Sequence, residues 1–282
     1  MKIDAHVHIF PPEICRERER FFVGEPDFEL LYANPKSRLV GAEELLAVMD
    51  EDGVDCSIVF GFPWRDDGKS RLCNDYIIEQ VQRHPDRLRG LACFGFDRPE
   101  AAAAETARCL EQGLSGVGEL AFYVEGFTAS VVDRFAPVVE VLRSHRGSLL
   151  MLHTNEPVGH QYPGKSEVSL FQLYRFLKLY GDLPTIFAHW GGGFPFYHLL
   201  KKEFAEVTGN LYYDTAATPY LFQNRVYALG GELAGFDRIL LGSDYPLLRP
   251  GRYFRDLADC NLAAEDLSRI CGGNAARLLG LK

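Results

Sequence analysis

Eight short, almost unbroken apolar runs recur along the chain, each followed by a stretch with helical spacing, and this alternation narrows the possible folds more than any other feature. The runs are KIDAHVHIF (2–10), DCSIVFGFP (55–63), LRGLACFGF (88–96), SGVGELAFY (115–123), SLLMLHTN (148–155), PTIFAHWGG (184–192), LYYDTAAT (211–218) and RILLGSDYP (238–246). They are apolar throughout rather than alternating, as strands buried on both faces must be. Helical patterns cover 42–51, 71–83, 100–112, 130–144, 166–180, 197–207, 222–233 and 267–279. Strand–helix alternation of this kind implies a parallel sheet. Eight such units in 282 residues predict one α/β domain spanning 1–282, a (β/α)8 barrel. A doubly wound open sheet is the competing arrangement. The segment 11–41 is polar, contains prolines and lacks a period, and it is too long for an ordinary βα loop. It is expected to be a cap over the barrel mouth.

Composition excludes several classes of function. Hydrophobic residues make up 47% and charged residues 24%, so the chain can build a large core. The net charge of −9 argues against nucleic acid as a partner. No run is long and apolar enough for a membrane span. The opening MKIDAHVHIF is unlike a signal peptide, because an acid and two histidines interrupt it. The seven cysteines form no C-x-x-C pair, which fits a reduced, cytoplasmic protein. A small molecule is the expected partner, and self-association is left open.

The ionisable residues fall at strand ends. His6 and His8 lie two apart on the first run and so face one side. Glu119 lies in the fourth run, His153 in the fifth, His189 in the sixth and Asp244 in the eighth. In a (β/α)8 barrel the C-terminal strand ends meet at one mouth. Imidazoles and carboxylates are ligands for zinc and related cations. Taken singly, each residue has an ordinary structural explanation. Six together at one register would be costly to bury without a cation.

DAHVHIF, GVGEL, LHTNEP, AHWGGGFP, GSDYP and the closing GGNAARLLGL, read together, resemble the amidohydrolase superfamily over essentially the whole chain. The resemblance is to the amidohydrolase-related branch, which contains both hydrolases and the aminocarboxymuconate semialdehyde decarboxylase group. It implies His6, His8, His153 and Asp244 as metal ligands. His189 would bind a second metal or polarise the substrate. Glu119 stands where many superfamily hydrolases carry a bridging carboxylate, a feature that the one-metal decarboxylases lack. The expectation is therefore a hydrolase with one or two divalent ions, zinc foremost, acting on a small amide, lactone or ester. Asp244 would orient and deprotonate a metal-activated water, and His189 would polarise the carbonyl. Decarboxylation of a small carboxylic acid is the alternative. Phosphodiester hydrolysis and a non-catalytic metal-binding barrel are more distant ones.

One motif points elsewhere. GHQYPGKS (159–166) matches the phosphate-loop pattern G-x-x-x-x-G-K-[ST]. It does not follow its strand directly, and Pro163 removes a backbone donor. Two readings remain in its place: a substrate loop presenting His160, Tyr162 and Lys165 over the mouth, or a solvated glycine-rich loop. Trp64, Arg65, Tyr123 and Arg249 are further candidates for the mouth, and the cations among them favour an anionic substrate.

Overall fold

The computed structural model describes residues 1–281. The apolar runs become eight parallel strands: β1 (Ile3–His8), β2 (Cys56–Phe60), β3 (Leu88–Gly90), β4 (Gly116–Leu120), β5 (Leu149–Leu152), β6 (Thr185–Phe187), β7 (Leu211–Asp214) and β8 (Ile239–Leu240). Two seams close them into a cylinder. Between β3 and β4, Ser115 N donates to Gly90 O at 2.8 Å and Gly118 N to Ala92 O at 2.9 Å. Between β8 and β1, Ala5 N donates to Leu241 O at 2.7 Å and His8 N to Tyr245 O at 2.8 Å. The fold is a (β/α)8 barrel, and the open sheet is excluded. No helix among the described residues is long and apolar enough to cross a membrane. All seven cysteines are free.

Every strand is shorter than its apolar run. The surplus residues leave the ladder at the C-terminal ends and form the mouth. Inside the cylinder, Ile3, Ala5, Ile58, Phe60, Leu149, Met151, Ile186 and Leu240 form one apolar cluster. Their strand neighbours Val59, Leu150, Phe187 and Ile239 pack outward in another cluster with the helices. Two irregularities break this alternation. Register slips between Asp4 and Val7 of β1, and between Val117 and Leu120 of β4. Such bulges re-aim side chains, and these two carry His6 and Glu119.

The helices are α1 (Pro12–Arg16), α2 (Pro26–Tyr32), α3 (Ala42–Asp52), α4 (Asp67–Arg83), α5 (Pro99–Glu111), α6 (Ala129–Arg134), α7 (Ala136–Ser144), α8 (Leu170–Tyr180), α9 (Phe204–Val207), α10 (Thr218–Leu221), α11 (Arg225–Ala234), α12 (Pro250–Ala258), α13 (Ala264–Ser268) and α14 (Asn274–Leu278). The helix expected over 197–207 is absent as such. The chain after β6 runs through His189–Gly193 with positive φ at each residue, a 3-10 segment continues to Leu199, and α9 is the only α-helix before β7. Three successive glycines permit that left-handed turn. The expected helix at 166–180 starts four residues late, because Ser166 N and Oγ bond Asn155 Oδ1 at 2.9 and 3.0 Å. The helix α12 opens on Pro250 and was not anticipated.

The segment 11–41 contains α1 and α2 rather than an aperiodic loop. Phe10, Ile14, Phe28 and Tyr32 pack with Phe62, Trp64 and Cys73 into an apolar cluster beside the mouth. Two buried carboxylates fasten it. Glu25 accepts from Arg65 N at 2.8 Å and Asp66 N at 2.9 Å, and Asp27 accepts from Val124 N at 2.7 Å. The insertion is thereby tied to the loops after β2 and β4.

Candidate metal centre and substrate pocket

His6, His8, Glu119, His153, His189 and Asp244 converge at the mouth. His6 Nε2 lies 3.7 Å from Glu119 Oε2 and 3.6 Å from Asp244 Oδ1. His8 Nε2 lies 3.6 and 3.5 Å from the same two oxygens. Glu119 Oε1 faces His153 Nδ1 at 3.0 Å and His189 Nε2 at 3.4 Å.

The outer nitrogen of each ring is committed elsewhere. His6 Nδ1 bonds Asp214 Oδ2 at 2.8 Å, His8 Nδ1 bonds Gly61 O at 3.0 Å and His189 Nδ1 bonds Ala216 O at 3.0 Å. His153 is turned the other way, with Nε2 on Gly164 O at 2.9 Å. A carbonyl or carboxylate accepts only an N–H, so each neutral ring has its lone pair on the inward nitrogen. Four inward lone pairs and two carboxylates thus share one space. His6 Nε2 is buried with no hydrogen-bond partner. A buried polar atom left unmatched needs an explanation, and a cation supplies it. The donor atoms of His6, Glu119 and His189, and those of His6, His8 and Asp244, each lie within 4.8 Å of one another. The residues present fit a divalent metal.

Their electrostatics agree. Burial opposes a charged His6, but the carboxylates of Asp214, Glu119 and Asp244 outweigh it and raise the ring to about 10. Burial likewise opposes a charged His189, yet Glu119 and Asp244 raise it to about 9. Burial would push Asp244 up, but His8, His6 and His189 hold it at about 2. The same contest, won by His153 and His6, keeps Glu119 well below the usual carboxylate range. Without a metal, protons on the imidazoles balance the carboxylates. A metal would displace them.

Backbone strain gathers here. His189 and Asp244 have φ of 53° and 61°, and neighbouring Trp190 and Ala217 have 60° and 55°. Non-glycine residues rarely adopt such values unless their surroundings enforce them.

Above the cluster lies a cavity of about 600 Å³, whose lining includes Tyr32, Phe62, Tyr123, Tyr162 and Tyr220. Of the expected substrate contacts, Tyr123, His160 and Tyr162 line it. Trp64, Arg65, Lys165 and Arg249 do not. Trp64 is fully buried behind the wall, its ring 4.2 Å from Phe28 and its Nε1 donating to Cys73 Sγ at 3.0 Å. Arg65 is paired with Asp27 at 3.0 Å, Lys165 with Glu156 at 3.0 Å and Arg249 with Asp52 at 2.7 Å. Lys165 also donates to Val158 O at 2.6 Å, so its ammonium is spent within its own loop. The lining cations are Lys36 and Arg38, from the insertion.

Two buried acids were not anticipated. Asp214, at the end of β7, fixes His6, while its Oδ1 accepts from His189 N at 2.9 Å and Ala216 N at 3.0 Å. The register argument that located Asp244 would also have found it. Asp4 bonds Ser243 N at 2.9 Å beside Asp244, and burial raises its carboxyl to about 7.

Comparison with known proteins places this geometry. The family model described as Amidohydrolase matches residues 3–281. The 2-amino-3-carboxymuconate-6-semialdehyde decarboxylase of Dictyostelium discoideum is 24% identical over 349 residues, covering 100% of this chain and 92% of that protein. The crystal structure of the 5-carboxyvanillate decarboxylase of Sphingomonas paucimobilis aligns with a TM-score of 0.77 at 19% identity, covering 100% of this chain and 99% of that one. A dihydroxybenzoic acid decarboxylase from Polaromonas sp. JS666, solved with manganese and the inhibitor 2-nitroresorcinol, aligns at 0.71 with 20% identity, covering 99% and 96%. These relatives correct the expected hydrolysis of an amide, lactone or ester. Glu119 does occupy the centre, as the hydrolase reading required. A central carboxylate does not fix the reaction, because the same cation can hold a carboxylic acid as readily as it activates water. The manganese in the Polaromonas structure also removes the case for zinc alone, since imidazole and carboxylate donors suit both ions.

Proposed function

Since the chain belongs to the amidohydrolase family, we propose that it is a metal-dependent, non-oxidative decarboxylase of a planar aromatic or unsaturated carboxylic acid. The observation that carries this reading is the set of inward lone pairs and carboxylates on the floor of a cavity walled by aromatic rings. The full-length likeness to decarboxylases supports it. Residues 1–282 act as one unit, with 11–41 contributing a wall of the pocket. The free cysteines suit a reducing, cytoplasmic setting.

His6, His8, His153 and Asp244 would hold one divalent ion, manganese or zinc, with Glu119 and His189 reaching the same space. Bound there, the ion supplies Lewis-acid charge to the substrate's oxygens. The chain's own residues do the rest. Phe62 and Tyr123, stacked at 14° with centroids 6.2 Å apart, present ring surface to a flat substrate and keep water from it. Loss of carbon dioxide needs one proton on the carbon that bears the carboxylate. The electron pair of the broken carbon–carbon bond returns to the ring or double bond. Asp244, ionised at rest, would take that proton from water at the mouth and pass it on, its side chain being 16% exposed where His6 is 0% and Glu119 3%. His189, held through Nδ1, has Nε2 free to hold or pass a proton.

The test is carbon dioxide release by manganese-loaded protein from a panel of acids that includes 2,6-dihydroxybenzoate and 5-carboxyvanillate. Decarboxylated product should appear in equal amount, and a chelator should stop it. Chelator-sensitive cleavage of esters, lactones or amides without carbon dioxide would overturn the proposal.

A further inference from the structure

Two phenols shielded from solvent on the pocket wall have no hydrogen-bond partner among the described residues. Tyr32, from the insertion, is 8% exposed and lines the cavity beside Glu119 and Asp244. Its hydroxyl bonds no protein group among the described residues. Tyr123, after β4, is half-buried on the same wall and its hydroxyl is likewise unpartnered. Several other tyrosines are matched, among them Tyr76 to Ala42 N at 2.8 Å, Tyr253 to Ser243 O at 2.8 Å and Tyr162 to Glu156 at 2.9 Å.

Both rings are held firmly. Tyr32 packs at centroid distances of 4.7 Å from Phe28, 5.6 Å from Phe10 and 6.1 Å from Phe62. Arg18 fixes the backbone below it, donating to Ser37 O at 2.5 Å and Tyr32 O at 3.5 Å. Tyr123 lies 4.8 Å from His153 and is stacked on Phe62. Phe62 therefore stands between two fixed phenols. Burial, together with the negative charges of Glu119 and Asp244, keeps both hydroxyls protonated. They can donate but do not ionise. The remaining cations at the wall are limited, since Arg38 is paired with Glu44.

We propose that Tyr32 and Tyr123 select the substrate by donating hydrogen bonds to a ring oxygen other than the one held at the metal centre. The proposal rests on the carboxylic-acid reading above. An acid with such an oxygen satisfies both hydroxyls. One without it leaves them buried and unpaired, a penalty that makes discrimination by buried donors steep.

The experiment is calorimetric binding of benzoate and 2,6-dihydroxybenzoate to manganese-loaded wild type, Tyr32→Phe and Tyr123→Phe. The variants keep the ring and its packing, and metal content and circular dichroism check that they fold. The quantity read is the ratio of the two affinities, which a purely structural role would not move. Wild type should prefer the dihydroxylated acid, and each substitution should cut that preference roughly tenfold. An unchanged ratio in both variants, or no preference in wild type, overturns this proposal and leaves the decarboxylase reading standing. If wild type binds neither acid and releases no carbon dioxide from the panel, that reading falls and takes this one with it.

Discussion

Replacing Asp214 with Asn should weaken metal binding without unfolding the barrel, and the geometry dictates why. Asp214 Oδ1 accepts two backbone N–H groups, from His189 at 2.9 Å and Ala216 at 3.0 Å. Only the carbonyl oxygen of an asparagine can take that place. Its amide nitrogen must then occupy the position of Oδ2, 2.8 Å from His6 Nδ1. An N–H would point at a nitrogen that now carries a hydrogen. His6 can relieve the clash by moving its proton to Nε2, but the inward lone pair is then lost. Otherwise it keeps the lone pair and leaves two buried donors facing each other, at about 1–3 kcal/mol each. Substitutions behind a metal-binding histidine usually cost about 10- to 100-fold in affinity, or roughly 1.4–2.8 kcal/mol. Competition between the protein and a chelating dye for manganese or zinc would measure it, with circular dichroism as the control for folding. An affinity within about twofold of wild type would refute the tautomer argument.

Other outcomes follow from the same geometry. Asp244→Asn should abolish carbon dioxide release while keeping most of the thermal stability, and turnover near the wild-type rate would remove Asp244 from its role. In the metal-free protein His6 titrates near 10 and His189 near 9, both raised from 6.5. Groups raised on folding stabilise fully below their unfolded pKa and lose that contribution as pH rises through the folded one. The melting temperature of metal-free protein should therefore fall between pH 6.5 and 10, while metal-loaded protein, whose ligand rings carry no such protons, should lack that decline. A flat metal-free profile would count against the coupling. Gly192→Ala should destabilise by about 3 kcal/mol in urea denaturation. Gly192 has φ +61° and an added Cβ would sit 2.1 Å from Asn155 O. Unchanged stability would mean that the left-handed turn after β6 relaxes easily.

The barrel was legible because burial on both faces forces strands such as CSIVF and LLML to be apolar at every position. The central cluster was legible for a related reason: successive strand ends meet at one mouth, so polar residues there stand out. What escaped was set by partners remote in sequence. Arg249 resembles a substrate contact until Glu51 and Asp52, almost 200 positions away, are seen to neutralise it. Trp64 faces inward because Phe28 of the insertion covers it. Tyr32 lies in a segment without a readable period, and Asp214 reads as an ordinary member of a strand. The choice between hydrolysis and decarboxylation depends on loops and on what the pocket accepts, and Glu119 alone gave the wrong lean.

The central claim is that a proton enters and carbon dioxide leaves at one carbon above the His6–Asp244 centre. Its most direct test is turnover of a carboxyl-13C-labelled acid by manganese-loaded protein in deuterated water, followed by NMR. The account predicts labelled carbon dioxide and a product with one deuterium at the vacated carbon, both lost on chelation and in Asp244→Asn. Labelled carboxylate retained throughout the panel, or carbon dioxide release that survives chelation, would contradict it.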